Sequence, residues 1–452
     1  MFGLKLHDFM RYFGVDHLMG TIHIIGAGVS GLSCATRAVQ YGANVVVYEA
    51  TEHAGGRARS FYDNSLGCLI DNGNHLLLGA NEFTQKYLTR IKSTNKIKEI
   101  APALFPFVRP ETGDKWQIRP GGRLFPIWIL YPKRRIPRTS AKDYIKQIFS
   151  LRNAGKDDTV VSAVGANTVL FKTFWEPLCR AALNTEATLA SAQLLWQVFR
   201  NTFMKGEEAC RPSFFNEGLA AALVDPALKY LAEHNNEVQL QRRLRRMEQD
   251  KDYITSLYFA EGRISIASDD AVVLALPPDA TNQIWPDAGA PVEARTIVNA
   301  HFRLDYPVRL PGDMPFVGLI GTESQWLFLR ENILSITVSA DDGIADKPSW
   351  EIARLLWLEA AMVLDSPTDR LPAWRIIKER RATFAQTPSQ VNSRPDGTTV
   401  IKNLFLAGDW TNTGLPATIE GGVKSGFDAA SNAIKVIDKN SVAGVQTKIN
   451  NF

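Results

Sequence analysis

The segment TIHIIGAGVSGLSCATRAVQYGANVVVYEA, from Thr21 to Ala50, constrains the fold more than any other stretch of the chain. Ile22 to Ile25 is a short apolar run rich in β-branched residues, which predicts a buried strand. Gly26, Ala27 and Gly28 turn the chain without bulky side chains, and Gly31 lets the following helix lie against that strand. A second apolar run, Val45 to Val47, predicts the next strand and delivers Glu49 eighteen residues after Gly31. This order suits an adenine dinucleotide. Free backbone N–H groups at the helix start face a pyrophosphate, favoured by roughly 0.3 to 2 kcal/mol at a helix terminus, and the acid accepts hydrogen bonds from the ribose. A glycine motif alone is a weak signal, whereas strand, turn, helix, second strand and acid in register form a specific one.

Near the other end, NLFLAGDWTNTGLPATIEGG, Asn403 to Gly422, reads as a strand entering a loop at Gly408 and Asp409, then a helix starting near Thr418. That suits the far half of the same ligand, so the pair of segments points to FAD rather than NAD. The chain of 452 residues is long enough for two or three domains. Charged residues at 22% and hydrophobic ones at 45% exclude disorder as the governing property, and a net charge of +4 gives no reason to expect nucleic acid. Cys34, Cys68, Cys179 and Cys210 lack the paired spacing of a zinc or redox site, which fits unpaired thiols in a reducing cytoplasm and no bound metal. No stretch reaches the 18 or so consecutive apolar residues that cross a bilayer.

Residues 1–20 lack the pattern of a secretory signal. Phe2, Leu6, Phe9, Met10 and Phe13 recur there at helical spacing, which leaves two readings open: an amphipathic surface helix, or an extension ahead of the first strand. Residues 53–75 are loop-rich, and 81–99 and 139–205 read as mostly helical. From Glu237 to Pro278 the runs VQLQ, YITSLYF, RISIAS and AVVLALPP predict consecutive short strands, with Arg242, Arg243, Arg245 and Arg246 on a solvated face. Further strands follow about residue 290, then a helix from Trp350 to Leu364. Trp175, Trp196, Phe199 and Phe203 fall near helical spacing, and Trp326 and Phe328 alternate on a strand; both groups suit either a tunnel wall or an ordinary core. LFPIWILYPKRR, Leu124 to Arg135, with Arg138 beyond it, suits either an interfacial membrane contact through Leu124 to Arg138 or a buried strand followed by a basic turn.

The turn-helix with Glu49, the GGR at Gly55 to Arg57 and the terminal LFLAGD resemble the amine oxidase and phytoene desaturase superfamily of flavoproteins. More particular strings are IDNGNHLLLGA at Ile70, WEPLCRAALNTEATLAS at Trp175, SQWLFLR at Ser324, ERRATFAQTP at Glu379 and GDWTNTGLPATIEGGVKSG at Gly408. Together these are similar to the hydroxysqualene dehydroxylase family, the squalene-associated FAD-dependent desaturases of bacterial squalene and hopanoid synthesis. The resemblance spans about Thr21 to Ala433. It implies an α/β fold in which an FAD-binding Rossmann-like domain of the GR2 type is interleaved with an α+β substrate-binding domain. The expected division is an extension at 1–20, an FAD-binding part at 21–80, 209–290 and 396–440, a substrate part at 81–208 and 291–395, and a flexible tail at 441–452.

The resemblance also implies roles. Gly26, Gly28 and Gly31 line the pyrophosphate and Glu49 the adenosine ribose. Gly55 and Gly56 allow close backbone approach, and Arg57 offsets phosphate charge with a forked donor set. A basic residue often follows the ribose acid by two positions; here Thr51 stands there. Val238 matches the strand beside the adenine, Asp409 meets the ribityl and phosphate region beyond Gly408, and Gly73 and Asn74 pass beside the flavin ring. The helix start at Thr418 and Ile419 aims its positive end at the ring, which stabilises the anionic reduced form.

The implied reaction is reductive removal of a hydroxyl from hydroxysqualene, with NAD(P)H as the expected external reductant and a triterpene as the substrate. It needs a proton donor for the leaving oxygen. His75 is the leading candidate, with Asp71 as its orienter and Asn184 and Arg330 as further polar candidates. Two rivals stand beside this reading: a carotenoid-type desaturase, and a non-enzymatic lipid-binding module on the same scaffold. The expected location is the cytoplasm, peripheral on the membrane face.

Overall fold

The structure is a computed structural model that describes residues 20–121 and 126–449, from 438 onward for the backbone alone. The N-terminal extension, up to Met19, lies outside the described residues. Five parallel strands form the first sheet: β1 (Thr21–Ile25), β2 (Asn44–Tyr48), β3 (Glu237–Gln239), β4 (Ala271–Leu274) and β5 (Leu404–Leu406). Their spatial order is β3-β2-β1-β4-β5, the doubly wound arrangement that creates a crevice at the carboxyl ends of its strands. The strands are apolar along both faces because both are covered. Ile22, Ile24, Val45, Val47 and Val273 pack with helix α1 (Val29–Gln40) on one side, and Ile25, Tyr48, Val272 and Leu274 pack with Leu257 and Phe259 on the other. Of the expected consecutive strands, Tyr253–Phe259 and Gly262–Ser265 pair antiparallel with each other and with Leu244–Asp250, whereas the first and last of the run belong to the parallel sheet as β3 and β4.

A second sheet of seven strands runs in the order 373–384, 294–303, 333–339, 326–330, 316–319, 105–109, 114–118. Its two faces differ in chemistry. Leu334, Ile336 and Val338 alternate with Ser335, Thr337 and Ser339; the first set joins Val298, Ala300 and Phe302 in the core beneath the helix Ser349–Leu364. Thr337 and Ser339, with Ile297 and Asn299 on the neighbouring strand, border the cavity between this sheet and the first. Beside the sheet lies a helical block around Trp128, Tyr144, Trp175 and Phe199.

Four sequence expectations meet a different outcome. Helix α2 (Glu82–Arg90), expected with the substrate part, packs on the first lobe instead: the N–H groups of Phe83 and Thr84 and the Thr84 hydroxyl donate to the carboxylate of Glu420 at 3.0, 2.8 and 2.7 Å. For Trp175, Trp196 and Phe199 only the tunnel-wall alternative fails: they belong to the helical core, the other reading left open, and the Trp175 indole is tied to Gln147 at 2.8 Å. Within Leu124 to Arg138, residues 124 and 125 lie outside the described ones; the remainder forms two short 3-10 turns, Ile127–Leu130 and Pro132–Arg134, and no strand. The last helix, Ile419–Ile449, keeps a helical backbone past the boundary drawn at 440.

Candidate active site

The site starts where β1 turns into α1. Gly26 adopts φ +108°, a left-handed conformation that favours glycine, and a Cβ on Gly31 would stand 1.9 Å from the Gly26 carbonyl oxygen. Helix and strand therefore approach as closely as backbone permits. The GGR loop is stitched onto this turn, the Gly55 N–H donating to the Ala27 carbonyl at 2.8 Å. Gly28 has no heavy atom within 4 Å of where its Cβ would point, and no side chain caps α1, so the helix start is open to a ligand anion.

Glu49 is fixed in place. Its Oε2 accepts from the Ala27 N–H at 2.8 Å, and its Oε1 from the Thr51 N–H and hydroxyl at 3.0 and 2.9 Å. Thr51, the departure from the basic residue seen in the superfamily, thus orients the acid. Arg57 Nη2 donates to Asp409 Oδ1 at 2.7 Å, its Nη1 reaches the Ala382 carbonyl, and the buried Asp409 holds the guanidinium above its ordinary pKa. The Gly408 N–H donates to Ser425 Oγ at 2.9 Å, and Thr418 Oγ1 accepts from the Gly421 N–H at 3.2 Å, which caps the helix beginning at Ile419.

One cavity of about 1310 Å³ joins these groups to an apolar arm. Gly26, Gly28, Glu49, Gly55, Gly56, Arg57, Gly408, Asp409, Thr418 and Ile419 border one end, whereas Phe105, Phe107, Phe174, Phe203, Trp326 and Phe328 border the other. Phe174 comes from a π-turn, Phe171–Trp175, ahead of the helix Glu176–Leu183; such turns redirect side chains at binding sites. The volume exceeds the roughly 300 to 1,000 Å³ of an ordinary small-ligand pocket, which leaves room for a cofactor and a second apolar molecule.

The loop from Asn72 to His75 crosses the junction. Asn72 Nδ2 donates to Glu379 Oε2 at 3.1 Å, and Asn299 Nδ2 to the Asn72 carbonyl at 3.2 Å. Thr337 Oγ1 donates to Asn299 Oδ1 at 2.8 Å and accepts from Asn74 Nδ2 at 3.3 Å. Gly73 sits against this frame: a Cβ there would lie 3.2 Å from Asn299 Nδ2. His75 lines the cavity with its ring exposed to that open space, and the protein packed around it pushes its pKa down to about 4, with Asp71 opposing and Arg57 acting in the same direction. The imidazole is neutral at pH 7.

The other predicted polar residues are distributed differently. Asp71 does not hydrogen-bond His75: one carboxylate oxygen accepts from Ser60 Oγ and the Leu219 N–H, and the other from Arg330 Nη1 at 2.7 Å. Asp71 and Arg330 thus pair with each other behind the cavity wall. Asn184 borders the cavity, but its amide is committed, donating to Thr383 Oγ1 at 3.0 Å and accepting from the Ala340 N–H at 2.7 Å, while its left-handed φ of 43° ends the helix Glu176–Leu183. Val238 pairs with Val47 on the outer strand of the first sheet and does not border the cavity; the segment that does is Arg242 to Arg245. Arg242, Arg243 and Arg245 therefore form a cavity rim, while Arg246 lies over the Tyr258 ring on the solvated face. Sequence reasoning missed Asn299, Thr337 and Glu379; the polar positions alternating with apolar ones in TIVNAHF and ILSITVS carried the signal.

Among the described residues, no helix is long and apolar enough to cross a membrane, and no cluster of three or more metal-binding side chains occurs. Cys34, Cys179 and Cys210 are buried free thiols, and burial pushes Cys210 up to about 12.

A doubly wound sheet whose glycine turn, fixed acid and far helix start border one groove, with a second sheet closing over it, defines a two-lobed dinucleotide-binding oxidoreductase. Comparison with known proteins agrees. Residues 29–434 match the flavin containing amine oxidoreductase family. The chain is 43% identical over 413 residues to a hydroxysqualene dehydroxylase of Sinorhizobium fredii, covering 91% of this chain and 98% of that protein, and 40% identical to one of Rhodopseudomonas palustris, covering 91% and 97%. It is 22% identical to a 15-cis-phytoene desaturase of Glycine max, covering 90% and 78%. The solved cyclohexylamine oxidase of Brevibacterium oxydans shares the fold, with a TM-score of 0.66 at 16% identity over 93% of this chain and all of that one. The chain belongs to the flavin-containing amine oxidoreductase family and groups within it with the hydroxysqualene dehydroxylases. It is a flavin-dependent enzyme.

Proposed function

We propose that this enzyme uses FAD to remove the hydroxyl group of hydroxysqualene reductively, giving squalene for bacterial triterpene and hopanoid synthesis in the cytoplasm, with NAD(P)H as the external reductant. The observation that carries the reading is the single cavity in which a dinucleotide groove runs directly into an aromatic, apolar arm. Gly26, Gly28, Gly31, Gly55 and Gly56 would admit the pyrophosphate, Arg57 with Asp409 would hold the phosphate and ribityl region, and Glu49 the ribose. When bound, the flavin supplies hydride chemistry.

Replacing a C–OH bond by C–H consumes one hydride and one proton and releases water. The chain's own residues serve the proton side and the exclusion of water. Phe105, Phe107, Phe203, Trp326 and Phe328 provide the dry wall that a long hydrocarbon needs. The Asn72, Asn299, Thr337 and Asn74 network holds the loop that carries His75. Because His75 is neutral at pH 7, we assign it the hydrogen bond to the substrate oxygen. The carboxyl group of Glu379, anchored by Asn72 and facing the same cavity, is the second candidate for delivering the proton. Asp71, Arg330 and Asn184 are positioning residues in this scheme.

The relation to phytoene desaturases favours one rival, the same cofactor chemistry run in the oxidising direction. Two anaerobic incubations separate them: hydroxysqualene with a reductant, and phytoene with an oxidant, each followed by lipid extraction. Squalene from the first alone is expected; a desaturated polyene from the second refutes the dehydroxylase reading. A purified protein without flavin absorbance and without turnover would favour a lipid-binding module. The His75→Ala variant should keep its flavin and lose turnover; undiminished turnover would remove His75 from the scheme.

A further inference from the structure

Outside the cavity, basic side chains and exposed apolar ones coincide at residues 126–152. Residues 126–152 carry seven Lys and Arg against a single Asp, a net +6, while the whole chain nets +4, so everything else nets −2. That one acid, Asp143, is exposed but engaged in its own helix cap, its Oδ2 accepting from the Ser140 N–H and hydroxyl at 2.7 Å each. Among the bases stand five exposed large apolar side chains: Ile127, Leu130 at 57%, Tyr131 at 57%, Ile145, and Phe149 at 50% exposure. Ile127 and Leu130 belong to the first 3-10 turn, Tyr131 links it to the second, and Ile145 and Phe149 lie four apart on the helix Ala141–Arg152.

The turns and the helix form one rigid base. Trp128 is buried edge-on to Tyr144, with ring centroids 5.5 Å apart, and the Ile136 N–H donates to the Tyr144 hydroxyl at 3.3 Å. The same Trp128 ring meets Phe203 at a tilt of 46°, with 6.3 Å between centroids, and Phe203 borders the apolar arm of the cavity. The exposed patch is thus one aromatic ring away from the substrate end.

We infer that the face formed by residues 126–152 docks on an anionic lipid bilayer, with Leu130, Tyr131 and Phe149 entering the interface and Lys133, Arg134, Arg138, Lys142 and Lys146 meeting the headgroups. Charge complementarity selects this occupant: a net +6 of bases ringing apolar side chains matches an anionic surface with hydrocarbon beneath it. Docking there sets the apolar arm next to the phase in which a hydrocarbon substrate dissolves. The inference stands whether the substrate is hydroxysqualene or another lipid.

The test is co-sedimentation of the flavin-loaded full chain with vesicles of equimolar phosphatidylglycerol and phosphatidylcholine, and with phosphatidylcholine alone, at low and high salt. The native protein should pellet with the anionic vesicles and release at high salt. Two variants are compared with it. The triple charge reversal Lys133→Glu, Arg134→Glu and Arg138→Glu should weaken binding on the order of a hundredfold. Leu130→Ser, Tyr131→Ser and Phe149→Ser together should weaken it roughly tenfold or more. Both should keep native flavin content and turn over detergent-dispersed substrate normally while losing turnover of vesicle-embedded substrate. Vesicle binding equal to the native protein in both variants overturns the inference. So does a native protein that ignores vesicles and elutes as a dimer that the variants dissociate, which would make the patch an interface between copies. Vesicle binding that the variants lose, with no hydroxysqualene turnover in detergent by any form, upholds the docking face and refutes only the substrate reading.

Discussion

At the glycine-rich end of the cavity most lining groups are backbone, or side chains carried by one continuous segment from Thr21 to Arg57, and their positions follow from spacing. At the apolar end Phe105, Phe174, Phe203 and Trp326 come from four separated stretches brought together by a seven-stranded sheet and a helical block. At Gly26 and Gly31 local geometry tolerates almost no substitution, because a carbonyl oxygen already fills the space a side chain would need. Packed side chains at the second end share the work, so any one can be lost at moderate cost. Rigidity in one region and redundancy in the other suit an enzyme that holds a fixed cofactor and admits a long flexible substrate.

Four expected outcomes would break or sharpen that contrast. Gly31→Val should abolish flavin binding, since its Cβ must displace the Gly26 carbonyl; the flavin absorbance of the purified protein reads this directly, and a yellow variant would end the claim that spacing dictates this end. Next comes acid stability. His301 is buried, its Nδ1 lies 2.8 Å from Ser335 Oγ, and burial lowers its pKa to about 4. Between about pH 6.5 and pH 4 the unfolded chain binds the proton that the folded one refuses, so stability is complete above that window and falls as pH falls through it, by up to roughly 3 kcal/mol for one group. Melting temperature against pH should show this decline, and His301→Gln should flatten it; an unchanged slope would exclude His301 as its source.

Third, Arg57→Ala should leave the buried Asp409 unpaired. Because the guanidinium is partly exposed, a loss of about 1 to 3 kcal/mol in flavin affinity is expected, and Arg57→Lys should recover only part of it. Flavin titration of the apoprotein measures both. The smallest effect belongs to the apolar end. Trp326→Ala should raise KM for the lipid roughly tenfold, about 1.4 kcal/mol, with flavin content unchanged. A loss of flavin in that variant would show that the two ends are not independent.

The legibility of the sequence divides along the same line. Gly26, Gly28, Gly31, Glu49, Gly408 and Thr418 were readable because each obeys a rule of short range: a turn, a helix start, a strand end. The pairing of Asp71 with Arg330 was not, since 259 positions separate them and only the fold decides that the carboxylate meets an arginine instead of His75. Val238 illustrates a related point: an alternating run marks a strand, but not which part of it borders the cavity, and the stretch that does so here is Arg242 to Arg245. Asn299, Thr337 and Glu379 escaped notice because their roles depend on which face of the second sheet turns to the cavity.

By itself, then, the sequence determined the dinucleotide fold, the flavin and the family, because glycine spacing and helix starts act through a backbone whose geometry is the same in every protein. The tertiary structure alone decided which side chains share the junction, how the neutral His75 is framed, and that the apolar arm ends beneath a basic, exposed patch. Those facts depend on burial and on contacts across hundreds of residues, which chain order does not specify.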